Sequence, residues 1–164
     1  MIIMQLKDIP GECELTGKTD WIVVDSLSWE ITREEKESGK VGTKDINLGV
    51  AEMPALTMGK SMDRASVFLM QQAIAGGALG APCIIELLAT GGIDKEAQVY
   101  LRYELERPII KSWSIDASED DRPTESVSIL YNKIRMEYFQ SQDGKEYKSA
   151  GKKGWDVVSG AAWN

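Results

Sequence analysis

Histidine is absent from all 164 residues. That absence removes the usual general base, every histidine-dependent triad and most zinc sites. Cysteine occurs twice, as Cys13 and Cys83, far apart and without CxxC spacing. A redox pair or zinc knuckle therefore lacks its ligands, and two buried thiols are the expectation. Basic residues (19) are outnumbered by acidic ones (26), leaving a net charge of −7. Binding to nucleic acid in general needs the opposite balance, so no nucleic-acid partner is expected. No apolar run approaches the roughly 20 residues of a membrane span. The opening MIIMQLKDIPGE has too short an apolar stretch, and no basic leader, for a signal peptide. Neither membrane insertion nor the general secretory route is expected.

Two short motifs invite chemistry and fail to supply it. SGKVGTK lacks the G-x-x-x-x-G-K-[ST] spacing that builds a phosphate cradle. Glu119, Asp120 and Asp121 are adjacent in one loop, and neighbouring loop carboxylates do not converge as metal ligands or acid/base pairs must. No catalytic, cofactor-binding or metal-binding residue is assigned, and no cofactor is expected.

What the chain has in quantity is alternation. Residues 20–34, DWIVVDSLSWEITRE, place Trp21, Val23, Leu27, Trp29 and Ile31 on one face and Ser26, Ser28, Glu30 and Thr32 on the other. This predicts one long, half-wet strand. QVYLRYELE (98–106) and IIKSWSIDA (109–117) repeat the pattern, with Ile109, Trp113, Ile115 and Ala117 dry in the second and Pro108 marking the break between them. Further strands are predicted over 1–9, 45–53 and 81–90. In 122–139, RPTESVSILYNKIRMEYF, the apolar set moves from Val127, Ile129 and Tyr131 to Ile134, Met136 and Tyr138. As one strand, this segment is dry on different sides at its two ends, which a bulge and cover from a neighbouring subunit would explain.

One helix is predicted over 61–76. Ser61 serves as N-cap, Asp63 adds charge to the first turn, and Gly76 and Gly77 end it. Met62, Ala65, Leu69 and Ala73 form its dry stripe, broadened by Val67, Phe68 and Met70. Trp21, Trp29 and Trp113 fall on dry faces, whereas Trp155 and Trp163 are unassigned. The expected fold is mainly β: an antiparallel β-barrel of two packed sheets with one flanking α-helix, in a single domain over 1–164.

The phase-changing segment joins an acidic turn, R-x-T-E and a long alternating stretch. Three other stretches surround it in order: IVVDSLSWEITR with its Ser-Trp core, SMDRASVFLMQQAIAGG with its Asp-x-x-Ser start, and GWDVVSG after a Gly/Lys-rich loop. Together they resemble the haemolysin-coregulated proteins, the Hcp tube subunits of bacterial type VI secretion, over nearly the whole chain. The resemblance implies a homohexameric ring that stacks into a tube within a contractile sheath, beneath a spike protein, and is expelled from the cell. It implies effector cargo in the lumen, assembly in the bacterial cytoplasm, and secretion without a signal peptide. The chain stops at Asn164 after the closing segment, so no appended catalytic domain and no enzymatic activity are expected.

On this resemblance Ser26, Ser28, Glu30 and Thr32 become the candidate lumen wall. The family commonly has a small serine between two tryptophans where this chain has Glu30 and Ile31, and often a proline after the helix serine where it has Val67. The segment from Glu34 to Lys44 resembles the loop that reaches an adjacent subunit or ring, with Lys36, Gly39, Lys40, Gly42 and Lys44 as candidate contacts. A phage-like tail-tube protein shares this architecture. A monomeric ligand-binding barrel is the alternative from another class, and it requires a closed interior cavity.

Overall fold

Period-two alternation becomes antiparallel strands in the computed structural model, which describes residues 1–36, 47–89, 97–141 and 147–164. In chain order the elements are β1 (Ile2–Gln5), β2 (Ile22–Val24), β3 (Ser26–Ser28), β4 (Thr32–Lys36), β5 (Asn47–Glu52), β6 (Leu56–Ser61), α1 (Ser66–Ala75), β7 (Cys83–Ala89), β8 (Gln98–Glu106), β9 (Ile109–Asp116), β10 (Thr124–Leu130), β11 (Lys133–Ser141), β12 (Tyr147–Asp156) and β13 (Ala161–Trp163). A seven-stranded sheet runs β13-β12-β11-β8-β7-β1-β2 and a four-stranded sheet β3-β6-β10-β9, while β4 and β5 form a separate ribbon. Among the described residues the fold is mainly β with one helix, as the sequence predicts. The barrel is not closed, because the two sheets do not join into one continuous ladder.

The main core fills the space between the sheets. Leu56, Met58, Val127 and Ile129 of the smaller sheet meet Met4, Ile22, Ile85, Leu105 and Ile134 of the larger. A second, smaller cluster of Ile3, Cys13, Trp21 and Leu88 lies on the opposite side of the larger sheet. Met4 and Ile3 thus show the two faces of one strand, each buried in a different cluster.

Three corners carry the chain from one sheet to the other, and each shifts the parity of the buried side chains. Ile22 and Val24 are followed by Leu27, Leu105 by Ile110, and Ile129 and Tyr131 by Ile134. A core that lies above one sheet lies below its partner, so a chain crossing between them must present its other face. This corrects two expectations. Residues 20–34 are divided among β2, β3 and β4, and 122–139 hold two strands, broken at Tyr131 and Asn132. The phase change at 132 is a change of sheet and needs no neighbouring subunit. At the second corner Arg107 takes φ +51° before Pro108, and Ile110 is buried in place of the expected Ile109. Ile115, expected dry, is exposed.

The helix begins at Ser66, five residues later than predicted, because Ser61 belongs to β6 and donates its hydroxyl to Asp25 at 3.0 Å. Asp63 orders the entry instead. Its carboxylate accepts from the Ala65 amide at 2.9 Å, and its own amide donates to Ser66 Oγ at 2.9 Å. Gly76 and Gly77 end the helix at φ +68° and +86°, values glycine adopts freely, although ψ −170° at Gly76 is not that of a left-handed helical cap. Ala65 and Leu69 are buried as predicted, whereas Val67, Phe68 and Met70 are exposed and do not broaden the dry stripe.

Beneath this entry lies a charged side chain in the dry interior. Lys60 is 2% exposed, and its Nζ lies 2.7 Å from Asp63 Oδ1 and 3.1 Å from Glu125 Oε2, donating also to the Ser61 carbonyl at 2.8 Å. It ties β6, β10 and the start of α1 to one point. Removing one partner of a buried pair leaves an uncompensated charge, at about 3–5 kcal/mol, while replacing both with apolar residues is often close to neutral. Lys60→Met is therefore expected to lower the urea midpoint sharply, and Lys60→Met with Glu125→Leu to recover much of the loss. Equal midpoints for the single and double variants would show that the charges are uncoupled.

Candidate functional site

Three Ser-apolar-Ser triplets, Ser26-Leu27-Ser28, Ser112-Trp113-Ser114 and Ser126-Val127-Ser128, lie in β3, β9 and β10. Each puts its middle residue on the side of the main core. The serines consequently share the outer face of the four-stranded sheet. Strand register aligns them into rows: Ser26, Gly59, Ser126 and Ser114 in one, Ser28, Thr57, Ser128 and Ser112 in the next. A third row holds Ser61, Thr124 and Asp116. Thr57 Oγ1 and Ser128 Oγ share a hydrogen bond of 3.0 Å across the strands. A Cβ on residue 59 would come within 2.5 Å of Ser26 Oγ, so Gly59 leaves that hydroxyl its room. Short hydroxyl side chains cover this face, and Asp116 is the one charged residue in the three rows.

The larger sheet shows the reverse chemistry on the face away from the main core. Glu86 is held by Lys18 at 2.6 Å and by Arg102 at 2.8 Å, and Glu137 lies next in register with Arg102 and Lys152. Arg135 meets Glu104 at 2.6 Å and lies over the Trp163 ring at 4.3 Å, while Lys133 joins Glu106 at 3.0 Å and Asp156 at 3.7 Å. Opposite charges sit across neighbouring strands, the arrangement that stabilises a sheet surface. The bond to Glu106 raises the Lys133 pKa, and the Ser159 amide lowers that of Asp156.

Of the predicted lumen residues, Ser26 and Ser28 stand on the hydroxyl face. Glu30 is exposed in the connection after β3, and Thr32 opens β4, paired with Glu52 in the separate ribbon. The structure therefore does not align the four on one strand face. Lys36 ends β4, and Gly39, Lys40, Gly42 and Lys44 lie outside the described residues. Thr57, Ser112, Ser114 and Thr124 share the hydroxyl face without having been picked out as site residues. The repeated Ser-x-Ser triplet is the signal that would have joined Ser112 and Ser114 to Ser26 and Ser28; Thr57 and Thr124 lie in no such triplet.

Among the described residues, no group of three or more His, Cys, Asp or Glu side chains is placed to hold a metal ion, and no helix is long and apolar enough to cross a membrane. Both thiols are free and buried, and burial pushes the Cys83 thiol up. The space between the sheets is filled by core side chains such as Leu56, Ile85, Leu105 and Ile129, all at 0% exposure.

Fold and surface define a two-sheet, antiparallel β protein whose smaller sheet carries a bare hydroxyl face. The chain belongs to the family described as type VI secretion system effector, Hcp, whose model matches residues 3–138. No curated protein matches it significantly by sequence. Among solved structures it is similar to a type six secretion system protein, at 27% identity and TM-score 0.85, with 99% of this chain and 98% of that one covered. It is also similar in fold to Hcp1 from Salmonella typhimurium (20% identity, TM-score 0.74, 99% and 97% covered) and to a type VI secretion system effector from Yersinia pestis (18%, 0.70, 96% and 100%).

At the edge of the main core, Trp29 Nε1 donates to the Tyr131 hydroxyl at 2.7 Å, and that hydroxyl donates to the Pro54 carbonyl at 3.0 Å. Burial raises the Tyr131 pKa, partly offset by the Trp29 bond, and burial also raises that of Tyr103. Stability from these neutral phenols is complete below their ordinary value of 10.0 and is lost as pH rises through the folded values. In an alkaline titration, tyrosinate absorbance is expected to lag behind that of free phenol and to finish as the fold opens. Ordinary titration of all five tyrosines with the fold intact would contradict these positions.

Proposed function

We propose that this chain is a non-enzymatic structural subunit, a single domain that assembles into a homohexameric ring and stacks into the expelled tube of a type VI secretion system. The observation that carries this reading is the four-stranded sheet, polar on its outer face and edged by β3 and β9. An edge strand offers unpaired backbone groups, and a neighbouring copy is one way to satisfy them. Joining the β9 edge of one copy to the β3 edge of the next is a heterologous contact, and it closes into a ring when the rotation permits. The hydroxyl faces then line the lumen.

Small neutral hydroxyls make most of a wall that stays hydrated, with Asp116 as the one charge in its rows. Glu30, exposed just beyond β3, adds a carboxylate near that wall. Repeated around a ring, it favours basic over acidic cargo. The partners in this reading are further copies of the chain, the sheath and spike proteins, and effector cargo. Assembly takes place in the bacterial cytoplasm and export follows through the type VI system.

Sedimentation velocity across a concentration series, followed by negative-stain imaging of the largest species, tests the ring. Six-membered rings are expected, and a monomer at every concentration with no rings on the grid would remove this reading. Glu30→Ser is expected to change cargo preference, read by co-purification with acidic and basic passengers, while leaving the ring mass unchanged. Loss of the ring in that variant would remove Glu30 from the lumen.

A further inference from the structure

Among the described residues, two of the apolar surfaces outside the cores bear on assembly. The first is the outward side of α1, where Val67, Met70 and Ile74 are spaced three and four residues apart and so line up along the helix. Ile74 is 79% exposed, and the helix has no charged residue. A surface helix normally turns its polar side to water, so this stripe faces the wrong way for an isolated subunit.

The second is a groove of about 500 Å³ whose lining includes Ile31, Arg33, Val50, Met53 and Trp155. It lies between the β4–β5 ribbon with its flanking residues and Trp155 of β12. Ile134 is covered by the main core, yet its cross-strand partner Trp155 is 41% exposed. Val50, on the β4–β5 ribbon, is 88% exposed at the same groove.

Their placement in the fold relates them. α1 packs against β9, one edge of the four-stranded sheet, whereas Ile31 follows closely after β3, the other edge. The stripe and the groove are thus two different patches, one beside β9 and the other on the ribbon that the chain enters after β3, as a head-to-tail contact requires. We infer that the α1 stripe of each copy seats in the groove of the next copy around the ring. This contact rests on the ring reading and names the side chains that hold neighbouring subunits together. Both surfaces are apolar, so their union removes from water what neither core covers. Arg33, the charged residue among those lining the groove, complements the carbonyl end of α1 beside Ile74, where a cation is favoured.

The test uses the full chain carrying Val50→Cys and Ile74→Cys together, with each single variant and the unmodified chain as controls, since Cys13 and Cys83 are buried. Far-UV circular dichroism checks that each variant folds. Mild oxidation is expected to give a ladder of disulfide-linked oligomers on a non-reducing gel from the double variant alone. Ile74→Asp is expected to raise the half-assembly concentration about tenfold or more, the loss expected when a buried aliphatic side chain is removed from a contact. Rings on the grid with no ladder, together with unchanged assembly of Ile74→Asp, would overturn this contact and leave the ring standing. An unmodified chain that forms no ring at any concentration would overturn the ring reading and this contact with it.

Discussion

A strand that leaves one sheet for the sheet facing it must turn its dry side over, and this constraint organises the molecule. It acts at all three corners, where Val24 gives way to Leu27, Leu105 to Ile110, and Tyr131 to Ile134. Once the parity is set, the rest of each strand follows. Leu27 and Val127 face the core, so the serines on either side of each face outward, and the in-register strands assemble them into one hydroxyl surface. The outer chemistry of the smaller sheet is a consequence of how its inner side is packed.

The helix depends on a different kind of fastening. α1 buries Ser66 and Leu69 but keeps a largely apolar side in water, so its apolar burial alone anchors it weakly. Lys60 supplies a directional tie instead, reaching the segment just before the helix from within the smaller sheet. A buried ammonium shared between two carboxylates tolerates few other positions of those groups, which favours a single placement of the helix entry. The same residues that stabilise the helix start thereby position the Val67, Met70 and Ile74 stripe.

Strand content, antiparallel pairing and the helix are legible in the sequence because each depends on local periodicity. The corners were less so. A phase change in the apolar pattern is visible in residues 122–139, but a bulge, a covering neighbour and a change of sheet all produce it, and only the pairing of β10 with β9 and of β11 with β8 decides among them. The sequence places the helix start too early because Ser61 is a good cap in isolation, while β6 claims it through its pairing with Thr124. Within the candidate site, Ser26 and Ser28 were readable as one wet face. Their companions on β6, β9 and β10 come from distant segments, and the three-dimensional register that gathers them is a long-range property.

The two cysteines carry a separate consequence. Cys13 lies in the smaller cluster and Cys83 in the main core, so they are held apart and neither offers sulfur to solvent. A thiol reacts as its thiolate and only where an oxidant or partner can reach it. The folded chain therefore keeps the same covalent structure on either side of a redox boundary, with no disulfide to form outside a cell and none to lose within it.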